Sequence, residues 1–493
     1  MSKTQKPTCL TEALEVQTEN AEQSTDAGPM RGANQSSTST PGPRIALLTP
    51  YNGGNFGDAA IQDAMIANLR LRLPSARISG ITLNSASFLE RHGTSGFPLC
   101  ASKLPFYGMS EADRPQQSWN EDSGIANGRQ SGWKSVAKDI LREIPGARRV
   151  GKKVQSYFAG IRREIRHLVD ARRFLRSQDL LIVSGGGQLD EEWGGPWGHP
   201  FSLFKWAMIA RLVRIPFAIV SVGAGKTSSP VSRMFLGMAL RLACYRSFRD
   251  ANSRNIAAKW LARAANDLVI PDLAFSLPSS ALPPSAGMRL LANAKPIVAL
   301  SPIAYGKPGS WPRQDEAVYD RYRHQMSQVV SRLVESGYFV AVVWSSVGDD
   351  EKIFSEIMDC LNEDSREKVA KQIFLPSITN WKELAALLED VDFLIASRMH
   401  STILGFLTRT PTVAISFDPK VDWVMQDLGQ KTYLLQIADF TADEVLLALE
   451  NLAKNRPAVV EQIVSYRERI FSELSQQYDT MAKLATANRV QSN

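Results

Sequence analysis

Short apolar runs and amphipathic stretches alternate along most of the chain. RIALLTP reads as a buried strand, GGNFGD as a loop, AAIQDAMIANLRLRL as a helix with one apolar stripe, and RISGITLN as a second strand. The alternation lapses between residues 85 and 178. It resumes with DLLIVSGGG, a helix around FSLFKWAMIARLV, then FAIVSVGAG, a helix over VSRMFLGMALRLA, CYRSFRD, NSRNIAAKWLA and DLVIPD. SLPSSALPPSAG breaks the pattern with Pro, Ser and Gly, and a domain boundary is expected there. A second alternation has PIVALSPI, YFVAVVWSS, QIFLPS, DFLIAS and TVAISFD as strands, and a helical region closes the chain. Continuous apolar strands between helices predict parallel sheets covered on both faces.

The expected fold class is therefore α/β, with two doubly wound, Rossmann-like domains facing a cleft. The first spans 44–282 with an insertion at 85–178, the second spans 283–440, and a helical region covers 441–493. Residues 1–43 are rich in Ser, Thr, Gln, Asn and Gly and are expected to be a disordered tail.

Composition narrows the class. The hydrophobic share of 44% suits a globular protein with substantial cores. Cys9, Cys100, Cys244 and Cys360 form no CxxC pair, which argues against a disulfide scaffold or a zinc site. No apolar run has the length of a membrane span, and MSKTQKPTCLTEALEV lacks a secretory pattern, so a cytoplasmic protein is expected. The net charge of +7 is concentrated: residues 142–176 hold eleven Lys or Arg against three Asp or Glu. There Val154, Tyr157, Phe158, Ile161, Ile165, Leu168 and Val169 recur at helical spacing, giving a basic amphipathic helix. It either packs on its own protein or is drawn to an anionic membrane at the inner face or a lipid-linked substrate. Without an interleaved aromatic platform it is not read as a nucleic-acid site.

In open parallel sheets ligands bind beyond the carboxyl ends of the strands, which selects five loops. In GGNFGD, glycines and Asn55 permit close approach of a ligand and Asp58 is placed to cap the next helix. In SGGGQLDEEW, Gly185, Gly186 and Gly187 are expected to expose backbone amides. Asp190, Glu191 and Glu192 follow as carboxylates that could accept a proton, with at least two of the three read as solvated; the general base is left open between Asp58 and Asp190. SVGAGKTSS carries Gly223 and Gly225 but lacks the upstream glycine of a P-loop. SFRDANS places Arg249 at a strand end and Asp250 before a helix. In DFLIASRMHSTILGFL, Arg398 and His400 stand two apart at the end of a predicted strand, so both are expected to point the same way. Ser401 or Thr402 would cap the following helix. Lys420 lies in the next such loop, in SFDPKVDWVM.

GGNFGDAAI, SGGG, SVGAG, SFRDANS, PDLAF, SRMHSTILG and SFDPKVDWVM, in that order, resemble the polysaccharide pyruvyl transferase family over most of residues 44–435. The resemblance implies a GT-B-like fold, an acceptor side in the first domain and phosphoenolpyruvate in the second. It implies transfer of pyruvate to two hydroxyls of a sugar as a cyclic ketal, on an exopolysaccharide or its lipid-linked precursor, without metal or redox cofactor. Arg398, His400 and Arg249 would be catalytic. Protonated His400 would serve as acid, and Arg398 and Arg249 would hold the donor's anionic groups. Asn55, Asp58, Gly185, Gly186, Gly187, Asp190, Gly223, Gly225, Asp250, Ser401 and Lys420 would line the substrates. The basic insertion does not match the family pattern, and the sequence leaves room for a homo-oligomer. The main rival reading is a GT-B glycosyltransferase with a nucleotide-sugar donor, its ribose held by Asp349, Asp350 or Glu351, and a second is a non-catalytic assembly or regulatory protein on the same scaffold.

Overall fold

The computed structural model describes residues 42–51, 53–101, 147–192, 194–278, 282, 284, 287–311, 314–346 and 348–490. The expected disordered tail lies outside the described residues except for Gly42 and Pro43, as do the first residues of the basic stretch.

The first sheet holds β1 (Arg44–Leu48), β2 (Arg77–Thr82), β3 (Gly96–Pro98), β4 (Leu180–Ser184), β5 (Phe217–Val222), β6 (Tyr245–Phe248) and β7 (Leu268–Val269). It is parallel, in the order β3-β2-β1-β4-β5-β6-β7. The second holds β8 (Ile297–Ser301), β9 (Phe339–Val342), β10 (Ile373–Phe374), β11 (Phe393–Ala396), β12 (Thr412–Ser416) and β13 (Leu434–Gln436). It is also parallel, in the order β10-β9-β8-β11-β12-β13. Runs such as LLIVS and IVALS are buried along their whole length, as strands covered on both faces require. Each order reverses once, between β1 and β4 and between β8 and β11. That puts a crevice at the carboxyl ends of both sheets.

The helices of the first half are α1 (Phe56–Arg72), α2 (Ser85–His92), α3 (Ala147–Arg176), α4 (His199–Val213), α5 (Pro230–Leu242) and α6 (Ala251–Ala258). In the second half come α7 (Met288–Leu291), α8 (Glu316–Glu335), α9 (Asp349–Met358), α10 (Glu363–Ala370), α11 (Trp381–Leu388), α12 (Met399–Leu407), α13 (Pro419–Asp427), α14 (Ala442–Lys454) and α15 (Arg456–Val490). Among the described residues, no helix is long and apolar enough to cross a membrane.

Two cores result. One face of the first sheet, with α1, shares a continuous core with the second sheet and α15. The other face packs under α3, α4 and α5 in a separate core confined to the first half of the chain. α15 ties the halves together. Arg467 donates to the carbonyl of Leu407, while farther along the helix Tyr478 bonds Ser276 at 2.7 Å and Gln477 reaches Ser221 at 2.9 Å.

Three expectations are corrected. The rhythm does not stop at residue 85, because α2 and the edge strand β3 continue it. α1 begins inside the glycine loop: Asn55, not Asp58, is its N-cap, and its Oδ1 accepts from the amides of Gly57 and Asp58. The third concerns α3, where the side chains of Val154, Tyr157, Phe158 and Ile161 lie outside the described residues and the rest of the expected apolar stripe is not seated. Ile165, Leu168 and Val169 are exposed, whereas His167, Ala171 and Leu175 are buried. The seated face is held by polar groups with partners. His167 Nε2 bonds the carbonyl of Pro98 at 2.9 Å, and Lys205 of α4 reaches Glu164 at 2.7 Å. A count of apolar positions reads that face as polar.

Candidate active site

The run DFLIASRMH leaves the sheet earlier than its hydrophobicity suggests. β11 ends at Ala396, Arg398 occupies the N-cap position of α12, and His400 sits in its first turn. The two side chains therefore diverge, contrary to the expectation of a shared strand face. Arg398 turns into the second domain, where its Nε and Nη2 bond both oxygens of buried Asp350 at 2.7 and 2.8 Å. Its guanidinium lies 5.7 Å from the centroid of Trp311, which packs with Tyr305 and Phe417. His400 turns toward the first domain, against Gly57 at the start of α1. Neither Ser401 nor Thr402 caps α12. Ser401 bonds Ser301 at 2.8 Å, and Thr402 Oγ1 donates to the carbonyl of Arg398.

The halves meet at this point. The amide of Phe56 donates to the carbonyl of Ser345 at 2.9 Å, Asn55 forms an isolated bridge with Ser346, and Trp381 Nε1 donates to Asp63 at 2.7 Å. Asn55 is thus a cap and an interdomain joint.

Across the crevice Arg249 follows β6. It is 8% exposed, with Nε 3.3 Å from Asp250 Oδ2 and Nη1 3.8 Å from Asp272 Oδ2. Gly223 makes room for it, because a Cβ there would lie 2.6 Å from the guanidinium carbon. Asp250 caps α6, accepting from the amide of Ser253 at 2.6 Å. Lys420 stands in the first turn of α13, 2.9 Å from Asp418. Arg249, Asp250, Asp272 and Lys420 line one interdomain pocket with Trp423 and Tyr466.

The glycine-rich loops serve packing more than amide display. Gly185 and Gly186 adopt φ of 50° and 71°, which favour glycine, and both are buried. The Gly185 amide is spent on the carbonyl of Val220, and the Gly186 carbonyl accepts from Gly223. The expected exposed amides of 185–187 are therefore reduced to part-exposed Gly187 and its surroundings. This zipper seats Asp190: a Cβ on Gly225 would come 2.8 Å from that of Asp190. Of the three acids in LDEE, Asp190 alone is buried, while Glu191 caps the Ser228–Ser229 turn and Glu192 is exposed.

The electrostatics couple these groups. Burial, then the positive charges of Arg249, Lys420 and Arg398, push His400 down to about 3. With protein groups alone around it, the imidazole is neutral at pH 7, not the expected imidazolium, and its buried Nε2 has no hydrogen-bond partner among the described residues. Burial and Asp272 raise Asp58 to about 6 against the pull of Lys420 and Arg249. Burial and Glu192 raise Asp190 to about 7, against Lys420 and Arg249. Asp272 is raised by burial, with Arg249 opposing. A cationic cluster beside two carboxyls that titrate near neutrality can hold an anionic donor and exchange protons.

The structure thus brings Arg249, Lys420, His400, Asp58 and Asp190 into one electrostatic cluster, with Gly223 and Gly225 behind it. Arg398 acts on it from the far side, Asp250 holds Arg249, and Ser401 is packed under the second sheet. Asp350 is bonded to Arg398 and so engaged by a cation; the side chains of Asp349 and Glu351 lie outside the described residues. Sequence reasoning gave no site role to Asp272, to Gly57 against His400, or to the Tyr305–Trp311–Phe417 group. PDLAF offered a signal for Asp272 through its place beyond a strand and among the motifs of the family resemblance.

A family model for polysaccharide pyruvyl transferases matches residues 55–419. Over 148 residues, 29% of this chain, the sequence is 23% identical to the amylovoran biosynthesis protein AmsJ of Erwinia amylovora, and the match spans 34% of that protein. Among solved structures, one described as a UDP-N-acetylglucosamine 2-epimerase from Listeria monocytogenes is similar over 88% of this chain and 96% of its own. Its TM-score is 0.50 at 9% identity. Anabaena Alr3699/HepE, solved with UDP, is similar over 92% of this chain and 100% of its own, with TM-score 0.46 and 11% identity. The likeness at TM-score 0.50 concerns the fold alone, which is the GT-B-like pair of parallel-sheet domains.

Proposed function

Because the chain belongs to the polysaccharide pyruvyl transferase family, we propose that it moves pyruvate from phosphoenolpyruvate onto two hydroxyls of a saccharide as a cyclic ketal. The observation that carries this reading is that Arg249 and Lys420 line one interdomain pocket and that their charges, with that of Arg398 in the second domain, bear on His400. A donor bearing both a phosphate and a carboxylate is the ligand such a cluster suits.

The reaction begins with a proton added to the methylene carbon, which leaves a cationic centre at the substituted carbon. One sugar hydroxyl attacks there and loses its proton. Phosphate then leaves, and the second hydroxyl attacks the same carbon and loses its proton, closing the ketal. One of the two hydroxyl protons replaces the one given to the methylene, and the other departs with phosphate. The proton donor is His400. Its imidazole is held neutral partly by three cations, and the donor's negative charges offset that part, so donor binding is coupled to protonation of His400. The hydroxyl proton goes to Asp190, whose carboxyl burial and Glu192 raise to about 7; Asp58 stands second in the same cluster. No step requires a metal or redox cofactor.

The likeness to a protein named for amylovoran biosynthesis supports a biosynthetic setting; the acceptor in this reading is a sugar of an exopolysaccharide or of its lipid-linked precursor. Calorimetric titration tests the donor without knowledge of the acceptor. Phosphoenolpyruvate should bind, and Arg398→Ala should weaken it at least tenfold. Binding of a nucleotide sugar alone would overturn the ketal chemistry in favour of glycosyl transfer.

A further inference from the structure

The outer surface of the first domain combines two properties that soluble faces rarely share. Between Glu192 and Asp250 the chain carries no Asp or Glu, and five of its eight Lys or Arg (Arg211, Arg214, Lys226, Arg233 and Arg241) are exposed. That stretch builds α4 and α5, which lie side by side, with α3 against α4. From Arg162 onward, α3 adds six exposed arginines against Glu164 and Asp170. Glu164 is already committed to Lys205, and Asp170 to Arg173.

The same surface is apolar. On α5, Val231, Met234 and Met238 are exposed at i, i+3 and i+7, one solvent-facing stripe. α4 adds Met208 and Leu212, the latter 66% exposed. Ile165, Leu168 and Val169 of α3 are exposed beside them. Trp197, 69% exposed, caps the group at the carboxyl edge of the sheet, 5.5 Å from Phe235 and seven residues after Asp190. Nine of the seventeen exposed large hydrophobics among the described residues lie on this loop and these three helices. Scattered exposed apolar residues need no explanation; a contiguous patch rimmed by one sign of charge marks an interaction surface.

We propose that the α3–α4–α5 face docks the protein peripherally on an anionic lipid bilayer. Arginines attract the negative surface, the methionines and leucines enter the acyl boundary, and Trp197 sits at the headgroup level, where indoles concentrate. The absence of any acid from 193 to 249 is what selects a membrane over a second copy of this chain, since two copies of so basic a face repel each other. Trp197 carries the patch to the rim of the crevice, so a docked molecule presents its site to lipid-linked saccharides. This reading depends on the surface alone and stands whatever the donor.

Flotation of the full chain with vesicles tests it. The protein should float with phosphatidylcholine vesicles containing phosphatidylglycerol, be released by 0.5 M salt (a Debye length of ~4 Å, between the values at 0.1 and 1 M), and not float with phosphatidylcholine alone. Leu212→Glu with Met234→Glu and Met238→Glu should cut the bound fraction at least tenfold. So should Arg162→Glu with Arg166→Glu and Arg172→Glu, which leaves the apolar stripe intact. Turnover on a water-soluble saccharide should not change in either variant. Failure of the wild type to float with anionic vesicles, or equal flotation of both variants, overturns the proposal. So does a sedimentation result in which the wild type dimerises and Leu212→Glu does not, because the face then belongs to a second copy.

Discussion

The imidazole of His400 packs against Gly57: a Cβ built there would stand 1.9 Å from His400 Cγ and 2.0 Å from Nδ1. The glycine is at the second position of a well-capped helix, where any residue could adopt the backbone, so it is the close approach of the histidine that requires it. Gly57→Ala must push the ring or part the domains. We expect a loss of about 1–3 kcal/mol of stability from overpacking. Turnover should fall by about 10²-fold, the cost of a 1 Å misplacement at a reacting centre. Thermal unfolding and steady-state rates measure the two separately; normal turnover in a folded Gly57→Ala would remove His400 from the chemistry.

If donor binding protonates His400, titration with phosphoenolpyruvate must take up protons from the buffer. The imidazole stands near 3 beside protein groups alone, so uptake should grow as the pH falls from 8 to 6, and affinity should rise with it. Calorimetry in two buffers of different ionisation enthalpy gives the number. His400→Gln should lower it by up to one proton, and an unchanged number would assign the proton elsewhere.

Asp190 carries a stability signature of defined sign. Its folded value near 7 lies above its ordinary value of 3.8, so between about pH 4 and 7 the folded state binds more protons than the unfolded one. Stability contributed at this site is present below pH 4 and is lost as pH rises through 7. His400, lowered from 6.5 to about 3, acts in the opposite sense: its neutral burial opposes folding below about pH 6 and ceases to matter above it. Asp190→Asn should therefore raise the midpoint of thermal unfolding at pH 8 and leave it unchanged at pH 4, while abolishing the acidic limb of the rate profile near pH 7.

Some of this was legible in the sequence for physical reasons that can be named. LLIVS, FAIVSV and IVALS read as strands because burial on both faces leaves no room for polar residues. The loops beyond them followed from parallel topology. What failed was local direction. Arg398 and His400 diverge because the cap of α12 is Arg398, three or four residues before the expected Ser401 or Thr402, and a shift from period 2 to period 3.6 changes which way a side chain points. The seated face of α3 was missed because His167 and Glu164 are satisfied by Pro98 and Lys205, partners remote in sequence. Asp272 near Arg249, and Gly57 under His400, are meetings that no local pattern encodes.

Arg398 is fixed by Asp350 through two short bonds, and Asp350 is 2% exposed. Asp350→Ala would leave the guanidinium leaning on Trp311 with two fewer charge-assisted bonds to aim it. As a positioning residue, Asp350 should affect donor binding more than chemistry: the KM for phosphoenolpyruvate should rise about tenfold, or about 1.4 kcal/mol, with kcat within a factor of a few. A fall in kcat with unchanged KM would instead place Arg398 at the transition state.

Gln477 spans the two halves' shared core from α15. Its amide donates to Ser221 at 2.9 Å and its carbonyl accepts from Ser247 and from Tyr245 at 3.2 Å. Ser221 needs this partner more than most. It holds a φ of 48°, a left-handed backbone that costs a non-glycine residue roughly 1–2 kcal/mol, at the point where β5 and β6 shift register. That bulge aims the following Gly223–Gly225 segment at Arg249 and Asp190. Gln477→Met keeps the volume but leaves buried hydroxyls without partners, at about 1–3 kcal/mol. Unfolding in urea should show that loss. Ser221→Gly, which accepts the φ freely, should lose less in stability than Ser221→Ala; both lack the hydroxyl, so the difference between them measures the backbone strain alone.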